Sequence, residues 1–119
     1  MEKSNITKMV VNDDVIIVKP MKTLDNNNAH EMVNIITGAQ EEGFKIIVLN
    51  MKDLEFLSSA GVGSILGTIE TSRETGGDII LCNISESINH ILQVLDLVDY
   101  LTIRENEEQA INLAGAETR

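Results

Sequence analysis

The stretch 45-KIIVLNMKDLEFLSSAGVGSILG-67 joins two kinds of structure and decides the predicted fold. Residues 45–49 form an apolar run without alternation, which is typical of a strand covered on both faces of a sheet. From Ser59 onward the apolar residues recur at the spacing of a helix instead. They are Val62, Ile65, Leu66 and Ile69. The stretch therefore predicts a buried strand followed by a helix that packs back against the sheet.

Further strands are predicted from β-branched or apolar runs elsewhere in the chain. They occupy residues 8–11, 15–18, 78–82 and 101–103. The first two flank a turn of Asn and Asp at residues 12–14 and are predicted to pair with each other. The strand at 15–18 is predicted to stop before Pro20, because proline cannot donate to a sheet.

Three helices are predicted besides the one described above. Asn28 is the predicted N-cap of the first, Glu31 completes a capping box, and Gly43 follows its end. Ser85 is the predicted N-cap of the next, and residues 107–114 form the last. Strands separated by helices of this length imply parallel pairing through right-handed crossovers.

A chain of 119 residues suffices for one domain. Residues 1–119 are therefore predicted to form a single α/β domain, with a mixed central sheet of four to five strands and about four helices. No apolar run approaches the ~18 residues that span a bilayer, and the N-terminal MEKSNITK has no signal-peptide block. A cytoplasmic protein is the simplest prediction.

Acidic residues outnumber basic ones. Nine Lys and Arg stand against nineteen Asp and Glu, which gives a net charge of −10. This balance argues against nucleic acid, which needs a basic surface, and against anionic membranes. Proteins are the predicted partners, and the chain itself is predicted to be a monomer or a weak dimer.

The side of the predicted helix opposite its apolar stripe carries small residues until charged ones appear near its end. The small residues are Ala60, Gly63, Ser64, Gly67 and Thr71. A glycine inside a helix costs about 1 kcal/mol relative to alanine, so this composition needs a reason. Two interpretations stay open: a second molecule lies against this face, or a neighbouring element of the same domain covers it.

Ser58 and Ser59 stand at the start of the same helix. A serine N-cap accepts a hydrogen bond from a free N–H group and contributes about 1 kcal/mol, and Ser58 is the predicted cap. Ser59 is then a spare hydroxyl at the positive end of the helix dipole, a place that tolerates a phosphate. A phosphate there would add a charge of about −1.5 to −2 beside the small residues and block a partner. The arrangement predicts a phosphorylation switch.

No catalytic, metal or cofactor site is predicted. The glycines of this helix lack the spacing of a dinucleotide-binding loop, because Leu66 stands where a glycine is needed. His30 and His90 are interpreted as surface or packing residues, and no cluster has metal-ligand spacing. The single Cys82 excludes a disulfide framework and is interpreted as a small buried hydrophobe. A binding module is therefore predicted, not an enzyme.

Three segments carry a resemblance to a known family. They are Leu24-Asp25, the run 46-IIVL-49 followed by 54-LEFLSSAG-61, and 91-ILQVLDL-97. On these segments the chain resembles the STAS family (sulfate transporter and anti-sigma factor antagonist domain), and specifically the free-standing bacterial anti-sigma factor antagonists. The resemblance runs over essentially the whole chain and implies the STAS fold.

The resemblance also implies a function. The family's loop usually reads Asp-Ser-Ser-Gly or Asp-Ser-Thr-Gly, its first hydroxyl residue is phosphorylated, and Ser59 occupies that position here. By resemblance, an anti-sigma factor that is a serine kinase phosphorylates Ser59, and a serine phosphatase reverses this. The unphosphorylated form would bind the anti-sigma factor and release sigma factor to RNA polymerase.

Two residues depart from the family pattern. Ser58 replaces the acidic residue before the phosphoserine and is a competing acceptor, and Asn50 replaces an aspartate at the end of the central strand. A constitutive scaffold module without phosphorylation is the alternative function. The predicted partner surface comprises Asp25, Ser58, Ser59, Ala60, Gly61, Gly63, Ser64 and Gly67. A turn or capping residue is the alternative role of Asp25.

Overall fold

The computed structural model describes residues 5–117, with side chains described through residue 112. The strands are β1 (Ile6–Val10), β2 (Val15–Pro20), β3 (Lys22–Leu24), β4 (Ile46–Asn50), β5 (Leu54–Leu57), β6 (Asp78–Cys82) and β7 (Thr102–Arg104). The helices are α1 (Ala29–Glu41), α2 (Ser59–Glu74), α3 (Glu86–Val94) and α4 (Glu107–Glu117). Five strands form one sheet in the order β1-β2-β4-β6-β7, and β3 pairs with β5 in a separate ladder.

The five-stranded sheet is mixed, as predicted. β1 runs antiparallel to β2, and every other pair of neighbours is parallel. The turn between β1 and β2 is built on Asn12, whose Oδ1 accepts hydrogen bonds from the N–H groups of Asp14 at 2.8 Å and Val15 at 2.9 Å. The predicted turn at residues 12–14 is therefore confirmed.

Helices α1, α2 and α3 pack on one face of this sheet, and α4 packs on the other. All five residues of β4 are buried because helices cover it on both faces, as its unpatterned apolar run predicted. The smaller core layer lies under α4. It consists of Val15, Ile17, Ile46, Val48, Ile80, Cys82 and Ala110.

The predicted end of the second strand is wrong, because β2 continues through Pro20. The pairing of β2 with β4 ends at Val18. Because Pro20 lies beyond this ladder, the absence of its N–H group costs the ladder no hydrogen bond. Beyond Val18 only β1 accompanies β2. Residues 78–82 match β6, and the other predicted strands are displaced by one or two residues.

The ladder between β3 and β5 was not predicted. The two strands are parallel, with Thr23 opposite Phe56 and Leu24 opposite Leu57. A register shift between Lys22 and Thr23 interrupts the ladder, and Lys22 adopts a φ of 65°. The ladder brings the chain that leads into α1 alongside the chain that leads into α2.

The predicted capping box of α1 is absent, although Asn28 is the N-cap. The Asn28 side chain makes no capping hydrogen bond. Its Oδ1 accepts from the N–H of Asp25 at 2.9 Å, and its Nδ2 donates to the carbonyl of Thr23 at 2.8 Å. Asn28 therefore closes the turn between β3 and α1. The predicted cap of α3 is confirmed, because Ser85 Oγ accepts from the N–H of Ile88 at 3.2 Å.

Candidate functional site

Ser58 is the N-cap of α2. Its Oγ accepts a hydrogen bond from the N–H of Gly61 at 3.2 Å, and its own N–H donates to the carbonyl of Leu24 at 3.0 Å. The side chain is half-buried. The predicted cap is confirmed, and the Ser58 oxygen is already engaged within the protein.

Ser59 is the first residue of α2, and it is exposed. Its hydroxyl makes no hydrogen bond to another residue of the described structure. The first turn of α2 contains no acidic residue. A phosphate on Ser59 would therefore meet the positive end of the helix and no like charge from that turn.

The outward face of α2 is open. Ala60, Gly63, Gly67 and Thr71 are all exposed, and we call these four residues the small face. Apart from its chain neighbours and the adjacent helix backbone, a Cβ added at Gly63 or Gly67 would meet no atom of the described structure within 4 Å. Internal packing thus explains neither glycine, although each costs about 1 kcal/mol relative to alanine. Among the described residues, no element of the domain covers the face at these two positions.

Ser64 was predicted to share this face, and that prediction is wrong. Ser64 is only 7% exposed, and its Oγ donates to the carbonyl of Gly61 at 2.6 Å. Together with Thr68 and Ser72, it forms a second stripe of small residues at a spacing of four. Gln40 of α1 donates from Nε2 to the Thr68 carbonyl and to Ser72 Oγ, each at 2.8 Å. This second stripe is small because α1 packs against it.

Gly61 has an internal role. It is buried, and an added Cβ would lie 2.4 Å from the carbonyl oxygen of Leu24 and 2.9 Å from Leu57 Cδ1. Only a glycine lets the first turn of α2 approach the end of β3 so closely. Gly61 therefore sets the position of the first turn of α2. Its predicted place on the partner surface is wrong, because the residue is buried.

Asp25 lies beside the start of α2, because it directly follows Leu24, the residue that receives the Ser58 N–H. Its Oδ1 accepts a hydrogen bond from the N–H of Asn27 at 2.9 Å. This is the geometry of a turn-forming aspartate. Asp25 is half-buried, so part of its side chain remains accessible while it forms this turn.

Phe56 is an exposed residue at this site that the sequence analysis missed. It is 51% exposed, three residues before Ser59, and it faces Thr23 across the β3–β5 ladder. The signal was weak because the segment 54-LEFL-57 has no regular alternation. Leu54 and Leu57 are buried, whereas the two residues between them are exposed.

A polar cleft of about 720 Å³ lies at the carboxyl ends of β4 and β6, beside the start of α4. Asn50 is 4% exposed, and its Oδ1 accepts from the N–H of Lys52 at 3.0 Å and from Asn83 Nδ2 at 3.2 Å. Its Nδ2 donates to the carboxylate of Glu107 in α4. Asn50 thus links the end of β4 to the start of α4.

The Cys82 thiol, possible metal ligands and possible membrane spans are the remaining candidates. Burial, together with the Glu107 carboxylate, raises the pKa of the Cys82 thiol to about 11, so this thiol stays protonated near neutral pH. Within residues 5–117, no three His, Cys, Asp or Glu form a group able to hold a metal ion. In the same range, no helix combines the length and apolar character that a membrane span requires.

The sequence profile of the STAS domain matches residues 7–110, and the chain therefore belongs to the STAS domain family. It is 28% identical over 98 residues to the anti-sigma F factor antagonist of Paenibacillus polymyxa, covering 82% of this chain and 84% of that protein. It is 22% identical over 99 residues to the anti-sigma-B factor antagonist of Staphylococcus epidermidis, covering 83% of this chain and 92% of that protein.

Solved structures share this fold. A putative anti-sigma factor antagonist from Thermotoga maritima matches with a TM-score of 0.85 at 24% identity, covering 92% of this chain and 93% of that chain. The anti-sigma factor antagonist SpoIIAA in its unphosphorylated form matches with a TM-score of 0.80 at 23% identity, covering 93% of this chain and 96% of that chain. The predicted fold class is confirmed.

Alanine substitutions should separate the glycine that packing requires from one that it does not. Gly61→Ala is expected to lower the free energy of unfolding by about 1–3 kcal/mol, because its methyl group overlaps the Leu24 carbonyl. Gly63→Ala is expected to raise it by up to about 1 kcal/mol, because the added methyl group meets open space in a helix. Urea unfolding followed by circular dichroism measures both. Equal effects of the two substitutions would contradict the assignment.

Proposed function

We propose that this protein is an anti-sigma factor antagonist, a binding protein that phosphorylation of Ser59 inactivates. The observation that carries the proposal is the exposed Ser59 hydroxyl at the start of α2, beside an uncovered small face, in a STAS-family chain. The names of the relatives from Paenibacillus and Staphylococcus support it. The whole chain, residues 1–119, acts as one cytoplasmic domain, with no need of a cofactor.

In the unphosphorylated form, an anti-sigma factor lies against the small face of α2. Gly63 and Gly67 present bare backbone, which lets the partner approach more closely than any other residue would. Asp25, Ser58 and Ser59 border this contact at the start of the helix. When this protein binds the anti-sigma factor, the anti-sigma factor releases its sigma factor.

Phosphorylation reverses this binding. The anti-sigma factor is itself a serine kinase, and it transfers the γ-phosphoryl group of ATP to Ser59 Oγ, with loss of the hydroxyl proton and release of ADP. The new charge of about −1.5 to −2 is compatible with the helix start and leaves α2 intact. The phosphate obstructs the partner by its bulk and charge at the edge of the small face. A serine phosphatase restores the binding form by hydrolysis.

The geometry favours Ser59 over Ser58 as the acceptor. Ser58 Oγ is held as the helix cap by the N–H of Gly61, whereas Ser59 Oγ is exposed and has no partner among the described residues. The alternative, a constitutive scaffold that is never phosphorylated, is favoured by one observation. Ser58 stands where the family has an acidic residue beside the phosphoserine.

Phosphorylation of Ser59 is testable directly. The purified chain is incubated with ATP and each anti-sigma-type serine kinase encoded in the same genome, and the phosphorylated residue is located by mass spectrometry. One phosphate is expected on Ser59, none in Ser59→Ala, and one still on Ser59 in Ser58→Asp, because aspartate also caps the helix. Phosphate on Ser58, or none with any of these kinases, would contradict the proposal.

The small face is testable by adding a side chain to it. Gly67→Glu is expected to abolish binding of the partner kinase, because the glutamate occupies the space that the partner's backbone needs. Gly38→Glu is the matched control, since Gly38 is also a helical glycine with open space around it, but in α1. Calorimetric titration measures binding, and thermal unfolding checks that both variants fold. Unchanged affinity of the folded Gly67→Glu variant would exclude the small face from the interface.

A further inference from the structure

Phe56 is a large aromatic residue that stays exposed beside the phosphoacceptor. It is 51% exposed, while Leu54 and Leu57 of the same short strand are buried. Single exposed apolar residues are common on protein surfaces, so exposure by itself assigns Phe56 no role. Its location is what distinguishes it, because β5 leads through Ser58 directly into α2.

Phe56 and Ser59 lie within the reach of one partner. Three residues of fully extended chain span at most about 11 Å. A standard protein interface covers about 800 Å² of each partner, which corresponds to a circle with a radius of about 16 Å. The backbone of Phe56 therefore lies within the radius of a kinase centred on the Ser59 hydroxyl.

We call the surface within this radius of Ser59 the footprint. The part of it formed by α2 offers a partner few large side chains to bind. The small face allows close approach of backbones, but its residues carry little apolar area. Binding energy in interfaces concentrates in a few large side chains, often aromatic, that fill pockets of the partner. Phe56 is an exposed side chain of this kind, three residues from Ser59 along the chain.

Other large exposed apolar residues of the described structure belong to other segments of the chain. They are Met9, Val10 and Val11 at β1, and Val94, Leu95 and Tyr100 at the end of α3 and after it. Arg73, near the end of α2, donates to the Tyr100 carbonyl at 2.8 Å and lies 4.7 Å from the centre of the Tyr100 ring. Arg73 is fourteen residues beyond Ser59 in α2, so at a rise of about 1.5 Å per residue their backbones lie about 21 Å apart, and Tyr100 contacts Arg73 near that far end of the helix.

We propose that Phe56 is the aromatic anchor by which the partner kinase recognises this protein, seated in an apolar pocket of the kinase next to its phosphoryl-transfer site. This inference rests on the proposed function and adds the residue that supplies affinity. Phe56 takes no part in the chemistry, because its side chain has no group that donates or accepts a proton. Its loss removes binding energy common to the ground state and the transition state, which raises KM and leaves kcat unchanged.

The test uses the kinase that phosphorylates the unaltered chain, with ATP at saturation and the full-length chain as the varied substrate. Phe56→Ala is expected to raise KM about tenfold or more, with kcat within twofold of the unaltered value. Phe56→Leu keeps an apolar side chain and is expected to restore most of the lost affinity. Tyr100→Ala, which removes the other exposed aromatic ring, is expected to leave KM unchanged. Thermal unfolding of each variant confirms that it is folded.

The KM values of these variants test the role of Phe56. If Phe56→Ala leaves KM unchanged, or lowers kcat alone, Phe56 is not the anchor, even though phosphorylation of the unaltered chain upholds the proposed function. If Tyr100→Ala raises KM as much as Phe56→Ala, the recognition is not centred at Ser59 and the inference is overturned. If no kinase phosphorylates the unaltered chain, the proposed function and this inference fail together.

Discussion

The carbonyl of Leu24 accepts the Ser58 N–H at 3.0 Å and lies so close to Gly61 that an added Cβ would stand 2.4 Å from its oxygen. This contact joins the end of β3 to the first turn of α2. It holds Asp25, which follows Leu24, beside the two serines. The Ser58 hydroxyl caps the helix at the same point, and the neighbouring Ser59 is exposed to solvent. The whole site depends on this close approach of two backbone segments.

Helix α2 uses small residues for two different purposes. On the side towards α1, Ser64, Thr68 and Ser72 are buried, and Gln40 binds the last two, so small size there serves packing inside the domain. On the outward side, Gly63 and Gly67 face open space, so small size there stabilises nothing in the folded chain. Helix α2 thus carries small residues on two sides, and only the side away from α1 is free to contact a second molecule. This asymmetry is the physical basis of the proposed interface.

A partner that covers such a surface needs space for its backbone, and it also needs large side chains of this protein to bind. The β3–β5 ladder supplies one, because it holds Phe56 at the surface only three residues from Ser59. The acidic balance of the chain, at −10, makes further negative charge at this surface costly for any acidic partner. The small face and Ser59 lie on α2, and Phe56 lies on the strand that precedes it.

The sequence by itself determined the alternation of strands and helices, the caps Ser58 and Ser85, and the spare hydroxyl of Ser59. These features depend on local periodicity and on hydrogen bonds between residues three apart, which a sequence displays directly. Only the tertiary structure decided that Ser64 is covered, that Gly61 serves packing, and that Phe56 is exposed on an unpredicted strand. Each of these depends on which distant segment packs alongside, α1 in the first case and β3 in the others. A helical period shows which residues share a face, and the neighbouring elements decide whether that face meets protein or water.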